Sequence, residues 1–449
     1  MRKRVITYLV LSTLLLAAVV AVCVIRWDAW FKNPAEDTYF VTAEPDNIIV
    51  GFGSTCFSRT ISWRSSERQH SFAVINGDTL SAIGKEVKSR GGEAVYYRVE
   101  KDSLPVGLHR YFVQTGEIRS KDYTFYVADD KVTRLFVFGD IQEKDTLSAF
   151  SLFCYSVVYT LCDSASIPAL FAYVGDVIDR PTNYAWQTWF TSLHGLQTFL
   201  PQVAAVGNHE YLKGLKPECD PRWQYIFSYP SNSAERFIGT TGYIDYPTFR
   251  LIVLNTQQLY WLSDYTIAQT WLNRALMEAE DRFTIVLMHH SVYSAAMKRN
   301  NPFVYAAFHR TLRKADLVIA GHDHIYTRRA NTKTFLLEDS VSYTTPIFLV
   351  TTSSSKYYIP RISSGDQRIG STASYVEDIN ITRDMMQVVT REMTTGTMYD
   401  EFIIYKEDNN VVICDSLPDE YIHLPERYIG ENNLYVRRFY NRSRARSNK

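Results

Sequence analysis

The sequence predicts an α/β (α+β) domain preceded by a small all-β sandwich. Three observations lead to this prediction. Residues 38–130 alternate short strand-like runs with Gly and Pro turns and show no clear helix. From Arg134 onwards, continuous apolar strands alternate with helical stretches, which is typical of strands covered on both faces. Polar clusters stand at or just after the ends of those apolar strands, where ligands bind in open α/β sheets.

Composition sets the outer limits of the interpretation. The chain has 449 residues, enough for about two or three domains of ordinary size. Its 48 Lys and Arg residues balance 48 Asp and Glu residues, and this argues against a nucleic-acid partner. Six cysteines without a C-x-x-C pair exclude a zinc ribbon and a thioredoxin motif, and they are too sparse for a disulfide scaffold. Cys154 and Cys162 are predicted on one helix, too far apart to bridge.

The N-terminus predicts export. The basic stretch 1–4 precedes an uncharged apolar run at residues 5–25, about the length that spans a bilayer. An uncleaved anchor is favoured, with a cleaved signal peptide or a lipoprotein signal at Cys23 as alternatives. In each case the basic stretch stays cytoplasmic, so the body of the chain is expected on the periplasmic or extracellular side. With the favoured uncleaved anchor, the N-terminal helix would also hold it to the membrane.

Changes in the pattern of apolar and turn residues along the chain predict its organisation. Apolar strands are predicted near 135–138, 169–174, 203–206, 251–254, 284–288 and 317–320, with helices near 145–162 and 183–199. The aromatic residues of 211–245 either line a pocket or form a small core. The predicted parts are an anchor or signal segment with a linker at 1–37, the β-sandwich at 38–130, the α/β domain at 131–408 and an extension with a basic tail at 409–449.

The polar clusters carry the chemistry. Each alone is compatible with an ordinary turn or a buried hydrogen-bonded pair, but five of them, each after a strand, indicate one common site. Their carboxylates, amides and imidazoles suit a pair of divalent ions such as Mn, Zn or Fe, and the lack of a thiol disfavours a structural zinc site. The clusters are Gly139-Asp140-Ile141-Gln142, Gly175-Asp176-Val177-Ile178-Asp179-Arg180, Gly207-Asn208-His209-Glu210, Met288-His289-His290-Ser291 and Gly321-His322-Asp323-His324.

This ordered set resembles the calcineurin-like metallophosphoesterases, whose pattern is D-x-[HG], G-D-x-x-[DY], G-N-H-[DE], H and G-H-x-H. The resemblance covers about residues 134–405 and implies a four-layer sandwich of two mixed β-sheets flanked by helices. With the β-sandwich in front, residues 38–405 look most like the purple acid phosphatase branch, which carries a fibronectin-III-like N-terminal domain. The segments at 61–63, 104–107, 269–272 and 286–293 share in that likeness.

The resemblance also implies a role for each matching residue. Asp140 and His324 would bind the first metal ion, with Gln142 as a further candidate, and Asp176 would bridge the two ions. The second ion would be bound by Asn208, His289 and His322. His209 would contact the phosphate and protonate the leaving oxygen, while His290 is expected to be structural. Asp179 stands where the purple enzymes have a tyrosine, so a divalent pair is expected rather than a ferric centre.

The expected activity is metal-dependent hydrolysis of a phosphoester by a hydroxide that bridges the two ions, with His209, Asp176 and Asn208 as catalytic residues. An exported phosphomonoesterase resembling the acid phosphatases is favoured, acting on a phosphorylated small molecule. A phosphodiesterase or a nucleotide pyrophosphatase is the alternative among enzymes. A surface binding module whose metal domain has lost catalysis is the alternative from another class.

Overall fold

A long N-terminal helix opens the chain. The computed structural model describes residues 2–33, 35, 36, 41–129, 131–143, 147–161, 167–335, 340–361, 366–370, 372–407 and 410–413. Helix α1 covers Arg2–Phe31, and its stretch Ile6–Phe31 is long and apolar enough to cross a membrane, with none of it buried against the protein. The linker expected after residue 25 is therefore helical as far as Phe31, because the first helix breaker after the apolar run is a proline at position 34.

The region that follows is all-β, as predicted. Its strands form two sheets, in the orders β1-β2-β6-β5 and β4-β3-β7-β8, with β9 pairing with β7. Between the sheets lies an apolar core that includes Trp63 and Val113, and the Trp63 ring stacks on Tyr97. The likeness of this region to a fibronectin-III domain remains a prediction. The strands are β1 (Asp46–Phe52), β2 (Arg59–Ser65), β3 (Ser71–Ile75), β4 (Asp78–Ser81), β5 (Ile83–Ser89), β6 (Gly92–Lys101), β7 (Gly107–Thr115), β8 (Ile118–Arg119) and β9 (Tyr123–Val127).

The remainder is a mixed α/β region. Its helices are α2 (Ala149–Thr160), α3 (Asn183–Ser192), α4 (Trp223–Ile226), α5 (Leu262–Met277) and α6 (Pro302–Leu312), with 3₁₀ turns at Leu196–Thr198, Asn208–Glu210 and Glu235–Phe237. Its strands are β10 (Thr133–Phe138), β11 (Leu170–Tyr173), β12 (Gln202–Ala204), β13 (Tyr211–Leu212), β14 (Glu218–Cys219), β15 (Gly242–Asp245), β16 (Phe249–Leu254), β17 (Phe283–His290), β18 (Leu317–Gly321), β19 (Thr327–Phe335), β20 (Ser340–Val350), β21 (Asp366–Ile369), β22 (Tyr375–Ile381), β23 (Met385–Glu392), β24 (Met398–Tyr405) and β25 (Asn410–Ile413).

Most of these strands lie in one 14-stranded sheet. Twelve of them follow a single hydrogen-bonded path that folds back on itself, and β19 lies off this path, paired with β20 and β21. The first half runs β12-β11-β10-β22-β23-β24, and the second half runs β20-β18-β17-β16-β15. Strand β25 pairs with β24 on one side and with β20 on the other, so the two predicted sheets are joined at one edge. Strands β13 and β14 form a separate pair.

Side-chain alternation along the strands explains the layers. In β10, Leu135 and Val137 enter the central core between the two halves, whereas Phe136 and Phe138 point outwards to helices α2 and α3. The second half repeats the arrangement, with the alternate residues of β16, β17 and β18 packing on α5 and α6. Buried on both faces, such strands read as continuous apolar runs. The predicted four-layer fold is confirmed.

The end of helix α3 differs from the sequence expectation. Helix α3 ends at Ser192 rather than near residue 199, because His194 and Gly195 adopt positive φ angles of 50° and 91° and a 3₁₀ turn follows. Helix α2 holds Cys154 in the core, while Cys162, Cys414 and the basic tail lie outside the described residues.

The parallel strands place their carboxyl ends together. Strands β10, β11 and β12 are parallel in the first half, and β16, β17, β18 and β20 are parallel in the second. The loops that follow β10–β12 therefore meet those that follow β17 and β18 along one edge of the sandwich. The fold thus brings the predicted polar clusters to a common place.

Candidate metal centre

The predicted ligands come from both halves of the sandwich. Asp140 follows β10, Asp176 follows β11, and Asn208 opens the 3₁₀ turn after β12. From the other half, His289 lies near the end of β17, and His322 and His324 follow β18. Their side chains converge in a mostly buried polar cluster, in which Asp140, His289 and His324 are fully buried.

The backbone is strained where these side chains enter the site. Asp140, Asp176, His322 and His324 have positive φ angles of 46°, 50°, 73° and 46°. This region costs a residue with a side chain of the order of 1–3 kcal/mol, and such strain clusters at functional sites. It turns each side chain from the end of its strand towards the shared edge.

Two glycines make the close approach possible. Gly175 has a φ of +94°, and a Cβ on it would lie 2.6 Å from Nδ1 of His289. A Cβ on Gly207 would lie 2.2 Å from Oδ1 of Asp176. The glycine that precedes the polar residue in these clusters is therefore a packing requirement of the site.

The carboxylates and imidazoles fall into two overlapping groups. Asp176, His289 and His322 form one group, and Asp140, Asp176 and His324 form the other. Within each group the candidate ligand atoms lie within 4.8 Å of one another. Asp176 is common to both, which is the position that a bridging ligand requires.

The two amide candidates lie beside these groups. Oδ1 of Asn208 is 3.2 Å from Nε2 of His289, in the first group. The Gln142 amide is 3.1 Å from Nε2 of His324, and in its better-satisfied orientation Nε2 lies 3.1 Å from Oδ2 of Asp176. The structure thus places all the predicted ligands together, and the assignment of each to an ion remains a prediction.

The donor set fits divalent cations. Oδ2 of Asp140 is buried and has no hydrogen-bond partner among the described residues, and burial raises the pKa of this carboxyl group to about 7. A cation at this point would offset the cost of that buried charge. Burial also lowers the pKa of His322 below its usual range and that of His324 to about 2, so both imidazoles are neutral, as metal ligands must be.

Asp176 and His289 are linked electrostatically. Burial would raise the pKa of Asp176, but His289, whose Nε2 lies 3.3 Å from its Oδ1, lowers that pKa below the usual range. Burial would likewise lower the pKa of His289, and Asp176 raises it to about 9. Metal binding at this pair would therefore displace a proton from His289.

His209 is held in one tautomer at the edge of the cluster. Its Nδ1 donates to the backbone carbonyl of Asp179, since a carbonyl oxygen can only accept. Nε2 is left facing the centre, 3.9 Å from Oδ2 of Asp176, and 27% of the side chain is exposed. The carboxylate of Asp179 pairs with Arg180 and belongs to neither ligand group, so it does not replace the missing tyrosine as a ligand.

Two buried carboxylates fix the ligand loops. Glu210 accepts hydrogen bonds from the backbone N–H groups of Asp176 and Gly207 at 3.0 and 2.7 Å. Asp323 accepts from the Ser291 hydroxyl and the Ala295 N–H at 3.0 and 2.6 Å. Both residues stand inside the motifs, but no role could be predicted for them from sequence, because most of their partners lie in other segments of the chain.

Two cationic side chains border the site that were not predicted from the sequence. The Arg299 guanidinium donates to the carbonyl of His322 at 2.8 Å, and Lys356 Nζ lies 3.1 Å from the amide oxygen of Gln142 in its better-satisfied orientation. Both cations also lie over the ring of Tyr358. They come from irregular segments without a motif, and no sequence signal pointed to them.

The remaining sequence candidates have structural surroundings. His290 lies outside both ligand groups, and its ring nitrogens contact Thr256 and Gln257. Among the aromatic residues of 211–245, Trp223 and Phe227 pack in the core beneath α3. Tyr211 is buried and contributes to a cleft beside His209.

Comparison with known proteins agrees with this geometry. Residues 133–326 match the calcineurin-like phosphoesterase family. Among solved structures, purple acid phosphatase PPD1 from yellow lupin (Lupinus luteus) seeds is similar over 81% of this chain and 74% of its own, with a TM-score of 0.65 and 16% identity. PhoD is similar over 92% of this chain and 99% of its own, with a TM-score of 0.55 and 11% identity. These likenesses show a shared fold. No curated protein sequence matches the chain.

Proposed function

We propose that this chain, which is a metal-dependent hydrolase of phosphoric esters by its calcineurin-like phosphoesterase domain, is an exported phosphomonoesterase that uses two divalent ions. The observation that carries the proposal is the pair of ligand groups that share Asp176. Mn, Zn or Fe would suit the set of carboxylate, amide and imidazole donors.

One ion would be held by Asp140, Asp176 and His324, with Gln142 beside them. The other would be held by Asp176, Asn208, His289 and His322. When bound, such ions lower the pKa of water towards about 7 and stabilise the negative charge of a phosphoester under attack. Asp176 is the residue whose removal would affect both ions.

His209 supplies the proton for the leaving group. Its Nδ1 is fixed by the Asp179 carbonyl, so Nε2 faces the substrate and can carry the proton that the leaving oxygen takes up. The Asn208 amide, next along the chain, offers an N–H donor to a phosphate oxygen when its own oxygen points to a metal ion. No side-chain nucleophile is needed.

The cations beside the ligands favour a monoester. A phosphomonoester carries up to two negative charges and a diester only one, and Arg299 and Lys356 both border the ligand groups. Their positive charge stabilises the doubly charged substrate more than the singly charged one. This is the observation that ranks phosphomonoesters above phosphodiesters.

The proposal also includes location and organisation. Helix α1 would remain as an anchor, with the domain at 131–408 on the periplasmic or extracellular side. The domain at 38–130 would be a fibronectin-III-like spacer. It contacts its neighbour through the Tyr111 hydroxyl on the Thr198 carbonyl and the Arg98 guanidinium on the Gln224 carbonyl, at 3.0 and 2.7 Å.

The test uses the full chain purified in detergent. Metal content is measured, and an aryl phosphomonoester and an aryl phosphodiester are assayed with added Mn, Zn or Fe, alongside Asp176→Asn. Two ions per chain and monoester turnover that the variant loses would support the proposal and identify the metal. Faster diester turnover would replace it with a phosphodiesterase. No bound metal and no turnover would favour the binding module.

A further inference from the structure

A cleft joins the membrane end of α1 to the proposed catalytic residues. Its volume is about 570 Å³, and its lining includes Asp28 and Lys32 on one side and Arg180, His209 and Lys213 on the other. We refer to it as the juxtamembrane cleft. His209, the proposed proton donor, therefore opens onto the same space as the last turn of a helix long and apolar enough to cross a membrane.

The chain after α1 is attached to the α/β domain beside this cleft. The Asn33 side chain donates to the Lys213 carbonyl and accepts from the Lys213 N–H, at 2.9 and 2.8 Å. The Glu36 carboxylate accepts from the Asn183 N–H and pairs with the guanidinium of Arg222, at 2.6 and 3.1 Å. The Glu36 and Arg222 side chains are 6% and 3% exposed. Arg222 also pairs with the buried Asp220 at 2.8 Å, so loss of Arg222 would leave both the Glu36 and the Asp220 carboxylates without this cation.

The residues of α1 that border the cleft lie at the expected depth of the lipid headgroups. Trp27 and Trp30 flank Asp28 on the helix and are 57% and 46% exposed. Exposed tryptophans at the end of an apolar helix sit at the membrane–water interface. Asp28 shares the cleft with His209, so the proposed catalytic residues lie within a short distance of the bilayer surface.

The charge of the cleft favours an anion. Among the five residues that give the cleft its charge, Asp28 pairs with Lys32 and Asp179 pairs with Arg180. The remaining cation, Lys213, makes no ion pair with any part of the chain that the structure describes. Its charge is therefore available to an anionic group at the membrane surface.

From these contacts we propose that the juxtamembrane cleft binds the phosphomonoester headgroup of a lipid in the membrane that holds α1. The inference rests on the proposed phosphomonoesterase activity and names its substrate class. Water would attack the phosphorus, the bond from phosphorus to the lipid oxygen would break, and His209 would give its proton to that oxygen. The products would be the lipid alcohol, which stays in the bilayer, and inorganic phosphate.

The experiment reconstitutes the full chain with its metal in phosphatidylcholine vesicles that contain phosphatidic acid. Phosphate release from this lipid is compared with release from soluble glycerol phosphate at the same bulk concentration. Both substrates present a phosphomonoester on a glycerol oxygen, so their ratio isolates presentation at the membrane. We expect the wild-type chain to prefer the lipid by about tenfold or more.

Two charge-reversal variants locate the effect. Lys213→Glu reverses the unpaired charge of the cleft and is expected to lower the lipid-to-soluble ratio by about tenfold. Lys216→Glu makes the same change at an exposed position that does not line the cleft, and it is expected to keep the wild-type ratio. Equal losses in both variants would indicate general attraction to the membrane and would overturn the site.

The failures of the two proposals are distinguishable. If soluble glycerol phosphate is hydrolysed and the lipid is not preferred, the lipid assignment is wrong and the phosphomonoesterase stands. If neither substrate is hydrolysed and no metal is bound, the proposed activity fails and the lipid assignment fails with it.

Discussion

The two halves of the central sandwich contribute different chemistry to the site. The loops after β10, β11 and β12 supply the oxygen donors Asp140, Asp176 and Asn208. The end of β17 supplies the imidazole of His289, and the loop after β18 supplies those of His322 and His324. Asp176 contacts both sets, since it belongs to both ligand groups. Neither half holds a complete set, so the site exists only when the halves are packed together.

The halves fix their loops in the same way. Each half uses one buried carboxylate that is not a predicted ligand, Glu210 in the first and Asp323 in the second, to accept backbone N–H groups of neighbouring segments. The two halves therefore supply different ligands, but each uses a buried carboxylate to hold its ligand loops in place. Metal binding across the two halves is expected to stabilise the packed state, because the unfolded chain offers no preformed site.

The largest effect is expected from Asp176→Asn, which removes the carboxylate shared by both ligand groups. Turnover should fall by about three orders of magnitude or more, and less than two ions per chain should remain, because an amide carries no charge to offset two cations. Metal analysis and monoester assays check this, with circular dichroism as the test of folding.

Asp179→Asn is the matched control for metal content. It makes the same chemical change three residues away, on a carboxylate that pairs with Arg180 and lies outside both groups. If Asp176→Asn kept both ions and the wild-type turnover, Asp176 would not be the ligand that the two ions share.

His209→Ala should have the next largest effect. His209 comes from the oxygen-donating half but is placed as a proton donor, so the variant should lose about 10²-fold in turnover and keep its metal. The loss should be greater for an alkyl monoester than for an aryl monoester, because a poor leaving group depends more on the proton. His324→Ala, which removes a predicted ligand, should reduce metal content and lower both rates alike. Equal losses on both esters with His209→Ala would contradict the assigned role.

The sequence could predict which candidate ligands meet, because these residues stand at the ends of apolar strands. Gly207-Asn208-His209-Glu210 and Gly321-His322-Asp323-His324 place several donors within four residues, and strand parallelism brings such loops to one edge. In β10, alternate residues face opposite layers of the sandwich. Leu135 and Val137 face the central core, and Phe136 and Phe138 face the helices. These features depend on short-range patterns, and the structure has them where they were expected.

The rest depends on contacts between segments that are distant in the chain. Arg299 and Lys356 reach the site from irregular segments, and Asn33 meets Lys213 across 180 residues. Residues 26–37 were interpreted as a linker, because the sequence around Glu36 does not indicate that its carboxylate pairs with the distant, buried Arg222. The join made by β25 was missed for the same reason, since the pairing of Asn410 with Thr344 has no local signature.

A third prediction concerns a buried carboxyl group in the first half. Burial raises the pKa of Glu377 from 4.5 to about 7, although Thr390 donates a hydrogen bond to it. A folded-state pKa above the unfolded value means that the folded chain binds the proton more tightly, so stability is greatest at low pH and falls between about pH 4.5 and pH 7. Glu377→Gln should remove this loss, which amounts to about 3 kcal/mol.

The free energy of unfolding of the wild type and of Glu377→Gln is measured by urea denaturation at pH 5 and pH 8. Detergent and metal are the same throughout. The stability of the variant relative to the wild type should increase towards pH 8. The metal centre titrates in both proteins, and its contribution cancels in the difference. Parallel pH dependences would contradict the assignment.

The smallest effect is expected at the helices that cover the two halves. The Thr182 hydroxyl caps α3 by accepting from the Ala185 N–H at 3.2 Å, so Thr182→Ala should lower the free energy of unfolding by about 1 kcal/mol. Thr266 makes the matched control, since it is exposed inside α5 and its hydroxyl donates back to the Leu262 carbonyl. Thr266→Ala should leave stability unchanged or raise it by a few tenths of a kcal/mol, because alanine is the better helix former. Equal destabilisation by both variants would show that Thr182 does not stabilise α3 through capping. The helix layers of the two halves would then not differ in this respect.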